Sequence, residues 1–107
     1  MSRVHYPGSR VEVKAEAGGA LEPFECDDAE VWIEGRSILI SYFDGEGMVV
    51  LDGGPGEGPG WILFARSRPW RAFLNPMSEA PGHFVGEIDE LGEVATWRLC
   101  LGEPDER

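Results

Sequence analysis

The chain has 107 residues and a mass of 11.8 kDa, which predicts a single β domain over residues 1–107 and leaves no room for a second autonomous domain. Its 15 glycines and 8 prolines are spread along the sequence and exclude long helices, coiled coils and helical repeats. Nine basic and 20 acidic residues give a net charge of −11, which disfavours binding to nucleic acid or to an acidic membrane surface.

The N-terminal part of the sequence predicts one strand between flexible segments. Apolar and charged residues alternate over residues 11–15, as in a strand with one solvated face. The N-terminus, about residues 1–9, and the Gly-containing connector 18–23 are expected to be flexible. The acidic segment 25–30 is expected to hold at most one helical turn, and β-like sequence begins at residues 31–33.

A hairpin is predicted over residues 37–52, because Asp44-Gly45 separates two apolar runs. If Phe43 pairs with Met48, one face of this hairpin is wholly apolar and predicts a core face. The core face carries Ile38, Ile40, Tyr42, Val49 and Leu51. The other face mixes Leu39, Phe43, Met48 and Val50 with Ser37, Ser41 and Asp52. The Gly/Pro-rich segment 53–60 that follows predicts a mobile loop, and it lacks the Gly-Lys-Ser/Thr sequence of a phosphate-binding loop.

A second hairpin is predicted to pair residues 61–66 with residues 70–75 across a three-residue turn. Its expected register places Arg66 opposite Trp70, Phe64 opposite Ala72, and Ile62 opposite Leu74. Residues 75–82 predict a further loop.

The last hairpin is predicted to pair residues 83–89 with residues 94–101, with Asp89 opposite Val94. Its core face carries Phe84, Ile88, Ala95 and Leu99, with Trp97 over Gly86. The same register brings His83 opposite Cys100 on the outer face. Residues 102–107 predict a frayed, charged C-terminal tail.

The fold class is therefore all-β, an antiparallel meander of seven or eight short strands that forms a curled sheet or small barrel, with at most one short helical turn. The segments 37–43 and 61–66 carry large apolar side chains on both faces. An open sheet would leave one of these faces exposed, so closure of the sheet, a loop, a short helix or another subunit is expected to cover it.

The candidate ligand-binding residues are arginines and tryptophans. They are Arg66, Arg68, Trp70, Arg71, Trp61 and Trp97. The three arginines surround Trp70 and could clamp a carboxylate or phosphate, or could simply pair with acidic residues of the chain. The tryptophans could line a cavity for an apolar ligand, or could fill the core.

The two cysteines show no metal-binding or CxxC spacing and are expected to be reduced thiols. Acidic neighbours make Cys26 a poor nucleophile. Cys100 beside His83 could form a reactive thiolate, but no third orienting group is evident unless Glu87 supplies it. The His and Cys residues lack zinc-ligand spacing, and the carboxylate clusters lack a calcium-loop pattern. We therefore expect no catalytic residues, no metal site and no cofactor.

The start of the sequence has no apolar run that could act as a signal sequence, which predicts a cytoplasmic protein. The leading functional hypothesis is a small, acidic, non-enzymatic interaction protein that binds a protein partner or self-associates through the mixed face of its sheet. The alternative is a carrier or sensor of a small apolar or anionic ligand held in a curled-sheet cavity. A third hypothesis is an enzyme that uses Cys100 and His83.

Overall fold

The computed structural model describes residues 3–15, 23–45, 47–56 and 58–105. Eight antiparallel strands pair in chain order, and the last returns to pair with the first, so that the sheet closes into a barrel. The strands are β1 (Val4–Lys14), β2 (Phe24–Glu34), β3 (Ser37–Phe43), β4 (Met48–Pro55), β5 (Trp61–Ala65), β6 (Trp70–Pro76), β7 (His83–Glu90) and β8 (Glu93–Cys100). No residue in the described ranges is helical. The predicted all-β meander is confirmed, and of the two forms expected the barrel is the one adopted.

Alternate residues of every strand point into the barrel, where they form one apolar core. The buried core residues are Val11, Val13, Cys26, Ala29, Val31, Ile38, Ile40, Tyr42, Val49, Leu51, Leu63, Ala72, Leu74, Phe84, Ile88, Ala95, Trp97 and Leu99. Trp97 is the largest side chain that is fully buried. An eight-stranded barrel is just wide enough for side chains to fill its interior, and this one is lined in that way.

Two predicted hairpins form with the expected register. Phe43 lies opposite Met48 in the β3–β4 hairpin. Asp89 lies opposite Val94 in the β7–β8 hairpin, which also places Trp97 opposite Gly86. The predicted core faces of both hairpins are buried in the barrel. In each case a short turn with glycine, together with one face that carries no polar side chain, indicates which face turns inward.

The β5–β6 hairpin is shifted by one residue from the prediction. Phe64 pairs with Arg71 and Leu63 pairs with Ala72, whereas Arg66 had been expected opposite Trp70. Arg66 instead continues the ladder with β4, donating its backbone N–H to Val50 O at 3.0 Å. A shift of one residue changes which face of β5 matches each face of β6. In the observed register Phe64 points outward. Because residues 61–65 are apolar throughout, their alternation does not distinguish the two registers.

Three segments that were expected to be irregular belong to strands. β1 begins at Val4, inside the N-terminal segment 1–9 that was expected to be flexible. β2 includes the acidic segment 25–30, for which the sequence allowed at most one helical turn. β4 continues to Pro55, inside the predicted loop 53–60. Most of the predicted connector 18–23, and parts of the predicted turns and tail (residues 46, 57, 106 and 107), lie outside the described residues.

In each of these segments the structure shows a local feature that the sequence pattern did not reveal. Register shifts near Ser9 in the β1–β2 ladder mark a bulge, which hides the alternation expected of a strand. In β2, Glu25 and Asp27 both form ion pairs with Arg10 of β1. In β4, Gly53 is held between Ile38 and Leu63, and a Cβ at this position would lie 2.6 Å from Leu63 Cγ. Glycine is therefore required there for packing, not for flexibility.

Candidate functional site

The outer surface of β3–β6 carries an apolar patch, which we call the apolar face. It consists of Leu39, Phe43, Met48, Val50, Ile62, Phe64 and Phe73. Its most exposed members are Phe43 (59%), Met48 (55%), Phe64 (52%) and Phe73 (38%). Cross-strand pairing places Phe43 opposite Met48 and Ile62 opposite Phe73, and across β4–β5 it places Asp52 opposite Phe64. Exposed apolar side chains grouped on neighbouring strands mark interaction surfaces in soluble proteins.

Charge is distributed unequally around the barrel. Strands β3–β6 together contain one acidic residue, Asp52, and one basic residue, Arg71. The four contiguous strands β7, β8, β1 and β2 contain ten acidic and three basic residues. The barrel therefore has a nearly neutral apolar half and a strongly acidic half.

Each of the three predicted anion-clamp arginines lies beside an aspartate. Arg66 forms a bidentate pair of hydrogen bonds with the Asp52 carboxylate, which raises the pKa of the guanidinium. Both of these side chains are exposed, so the pair contributes little stability. Arg68 forms bidentate hydrogen bonds with the Asp44 carboxylate, at 2.7 and 3.1 Å, and these two side chains are less exposed. The contact from Arg71 to Asp89 is longer, at 3.8 Å.

The structure brings only part of the predicted ligand-binding set together. Arg68, Trp70 and Arg71 line one shallow cleft at the end of the barrel where β5 ends and β6 begins. The Arg68 guanidinium lies 4.9 Å from the centroid of the Trp70 ring in a cation–π contact, whereas the expected register had placed Arg66 opposite Trp70. Because of the shifted register, Arg66 instead points towards Asp52 on β4.

The other two candidate tryptophans do not reach this cleft. Trp61 is the first residue of β5 and therefore lies at the opposite end of the barrel from Trp70, the first residue of the antiparallel β6. There it packs against Phe84, with ring centroids 5.0 Å apart. Trp97 is fully buried, and its indole Nε1 donates a hydrogen bond to Phe73 O at 3.0 Å. Trp97 is thus a core residue that also ties β8 to β6.

The predicted Cys100–His83 neighbours are in contact. Cys100 Sγ lies 3.0 Å from His83 Nδ1 on the outer face of the β7–β8 hairpin. The histidine is exposed, and the cysteine is half-buried. The other cysteine, Cys26, lies in the core and its thiol donates to Asp28 Oδ1 at 2.8 Å. Burial, reinforced by the Asp28 carboxylate, raises the pKa of the Cys26 thiol.

Within the described ranges, no group of three or more His, Cys, Asp and Glu side chains is arranged to hold a metal ion. The same residues include no helix long and apolar enough to cross a membrane.

The sequence did not reveal that β5 and β6 contribute to the apolar face. Leu39, Phe43, Met48 and Val50 were recognised as part of a mixed face from the alternation of one hairpin. The addition of Phe64 and Phe73 depends on the β5–β6 register, which neighbouring strands of the barrel determine. The uneven division of charged residues among the strands was, in contrast, visible in the sequence once the strands were assigned.

Comparison of the chain with protein-family models, with curated proteins and with solved structures gave no significant match.

Proposed function

We propose that this protein is a small, non-enzymatic interaction protein that self-associates through the apolar face. The observation that carries the proposal is the exposure of four large apolar side chains, Phe43, Met48, Phe64 and Phe73, on adjacent strands of a barrel whose core is already filled. Clusters of exposed aromatic and methionine side chains are typical of the centres of interfaces. Covering these side chains would stabilise the complex by about 25 cal/mol for each Å² of apolar surface removed from water.

The distribution of charge favours a second copy of this chain as the occupant. Two chains with a net charge of −11 repel each other at most relative orientations. The apolar half is the exception, because β3–β6 contain only Asp52 and Arg71 as charged residues. If two copies meet through this half, their acidic halves point away from each other and into solvent. The interface of such a dimer would be isologous, with the same patch used by both copies.

The oligomeric state of two matched variants tests the proposal. In Phe64→Glu, a charge enters the apolar face at a residue that is 52% exposed. In Val94→Glu, the same change is made at a residue that is 55% exposed on β8, in the acidic half. We expect wild type and V94E to sediment as dimers and F64E as a monomer, because F64E would bury a charged carboxylate from each copy in the apolar contact.

Both positions face outward, so both variants are expected to fold, and near-ultraviolet circular dichroism of the tryptophans checks that they do. A wild-type chain that remains monomeric at every concentration would overturn the proposal. So would equal dissociation of the F64E and V94E variants. Capture of a different partner by a monomeric wild-type chain would also count against self-association.

A second candidate function, binding of a small anionic ligand, is favoured by one observation at the Arg68–Trp70 cleft. The indole Nε1 of Trp70 is buried and has no hydrogen-bond partner in the described part of the chain. A ligand acceptor atom could satisfy this donor while Arg68 and Arg71 bind its negative charge. Titration of tryptophan fluorescence with a panel of fatty acids, haem and nucleotides tests it. A response that is lost in Trp70→Phe and retained in Trp61→Phe supports this function, and no response in wild type contradicts it.

A further inference from the structure

The contact between Cys100 and His83 is held in place by the core beneath it. Trp97 points into the barrel over Gly86, in the same hairpin that places Cys100 opposite His83 on the outside. A slip of one residue between β7 and β8 would turn the indole out of the core and leave a large void. The thiol and the imidazole are therefore kept opposite each other, with Sγ and Nδ1 3.0 Å apart.

This geometry allows a proton to move directly from sulfur to nitrogen. In the tautomer whose Nδ1 lone pair faces the thiol, the imidazole accepts the proton and leaves a thiolate beside an imidazolium. The thiolate is the nucleophilic form of cysteine. The half-buried sulfur lies on the outer surface of the barrel, so that a small reagent can approach it from solvent.

We propose that Cys100 is a site of oxidation by hydroperoxides, with His83 as the proton carrier of the reaction. The proton of the thiol passes to His83 Nδ1, and the thiolate sulfur attacks one oxygen of the peroxide. An S–O bond forms as the O–O bond breaks, and the leaving oxygen takes the proton back from His83. Cysteine is thereby oxidised to the sulfenic acid, and the hydroperoxide is reduced to an alcohol or to water.

The charges around Cys100 are mixed. β7, β8, β1 and β2 form the acidic half of the barrel, and Cys100 lies within it, but its cross-strand neighbour on β1 is Arg10. A neutral hydroperoxide is neither attracted nor repelled by these charges, so its approach to the thiol does not depend on them. Cys100 also lies outside β3–β6, so that the reaction does not depend on whether the apolar face is covered.

The chain contains its own comparison thiol. Cys26 is buried, donates its proton to Asp28 at 2.8 Å, and has a raised pKa because of its burial and that carboxylate. Cys26 is therefore expected to react slowly under conditions in which Cys100 reacts readily. Measuring both thiols in one sample removes differences in protein concentration and in oxidant.

The experiment follows sulfenic acid formation at each cysteine separately. The full chain is treated with hydrogen peroxide, sulfenic acid is trapped with a dimedone reagent, and labelled peptides are quantified by mass spectrometry over time. Three proteins are compared, namely wild type, His83→Asn and Glu87→Gln. Asn keeps a polar atom near the position of Nδ1 but cannot carry the proton. Glu87 lies on the same outer face four residues along β7, about 13 Å away at the rise of a strand, and is the matched control.

We expect Cys100 to be labelled at least about tenfold faster than Cys26 in wild type, and to lose at least about tenfold of its rate in H83N. Free imidazole added to the H83N protein is expected to restore part of the Cys100 rate, which a purely structural role of His83 would not produce. E87Q is expected to match wild type. Equal rates at Cys100 in wild type and H83N, or equal rates at the two cysteines, would overturn the proposal.

Discussion

At the scale of single residues, close approach of the backbone at Gly86 allows Trp97 to be buried. A Cβ added at Gly86 would lie 1.7 Å from Phe73 O, the carbonyl that accepts the hydrogen bond of the Trp97 indole. One methyl group would therefore push β7 away from β6 and disturb the buried indole together with its partner. Gly86 and Trp97 act as a pair, since the small residue makes room for the large one.

We expect Gly86→Ala to lower the free energy of unfolding by about 3 kcal/mol, because the clash is with backbone and no rotamer relieves it. Urea unfolding followed by tryptophan fluorescence measures the loss. Gly54→Ala in β4 is the matched control, because its added Cβ would meet nothing within 4 Å. The control is expected to change stability by less than about 1 kcal/mol. Equal effects of the two substitutions would show that conformational entropy, and not the clash, governs the Gly86 position.

Leu91 has a backbone conformation that a residue with a side chain disfavours. Its φ of 52° and that of Gly92, 95°, form a two-residue turn with both residues in the left-handed region, where Asn-Gly is the favoured sequence. The Leu91 side chain is 84% exposed, so little packing offsets the strain. Leu91→Asn is expected to stabilise the protein by about 1 kcal/mol, whereas Leu91→Ala, which keeps a non-glycine Cβ in the strained conformation, is not. Thermal unfolding of both variants decides the point, and an equal gain from Ala would show that the side chain, rather than φ, carries the cost.

At the scale of elements, hairpins with local signals were predicted well. Asp44-Gly45 and Leu91-Gly92 each lie between segments that have one apolar face, and both hairpins have the register that was expected from the sequence. The Cys100–His83 contact could be predicted for the same reason, since it depends only on the β7–β8 register. Features set by distant segments were missed. The β5–β6 register depends on β4 and β7, and the start of β1 is hidden by a bulge around Ser9.

The β1 bulge is also where the C-terminal segment attaches to the barrel. Ser9 is fully buried, and its hydroxyl donates to Tyr6 O at 2.8 Å and accepts from the Gly102 backbone N–H at 2.9 Å. The segment continues to Asp105, whose N–H donates to His5 O at 2.7 Å. The residues after β8 are therefore docked along β1 as far as Asp105, although residues 102–107 were expected to be frayed.

We expect Ser9→Ala to cost about 2 kcal/mol of stability, because it leaves the Gly102 N–H without its partner. Hydrogen exchange at the amides of Leu101 and Asp105 is expected to accelerate more than exchange in β3–β6, as the C-terminal segment loosens first. Ser37→Ala, at an exposed position at the start of β3, is the control and is expected to be nearly neutral. Uniform acceleration across all strands would mean that Ser9 supports the whole barrel rather than this attachment.

At the scale of the whole molecule, barrel closure and charge distribution together determine how copies can meet. Pairing of β1 with β8 leaves no open sheet edge between these strands, so association through strand addition is not available there. What closure leaves exposed is the apolar half, formed by β3–β6, and an acidic half that carries ten acidic residues in its strands. Association through the apolar half then gains free energy from apolar burial and loses some to repulsion between two chains of charge −11.

This balance predicts the sign of the salt dependence. The dissociation constant of the dimer is expected to fall as NaCl is raised from about 0.01 to about 0.15 M, because the Debye length falls from about 30 to about 8 Å and screens the repulsion between the acidic halves. Sedimentation equilibrium at each salt concentration measures it, and KCl in place of NaCl controls for a specific ion effect. An interface held by arginine–carboxylate pairs between copies would respond in the opposite direction, since screening weakens attraction between unlike charges. Weaker association at higher salt would therefore contradict apolar burial as the basis of the dimer and would indicate contacts between arginines of one copy and carboxylates of the other.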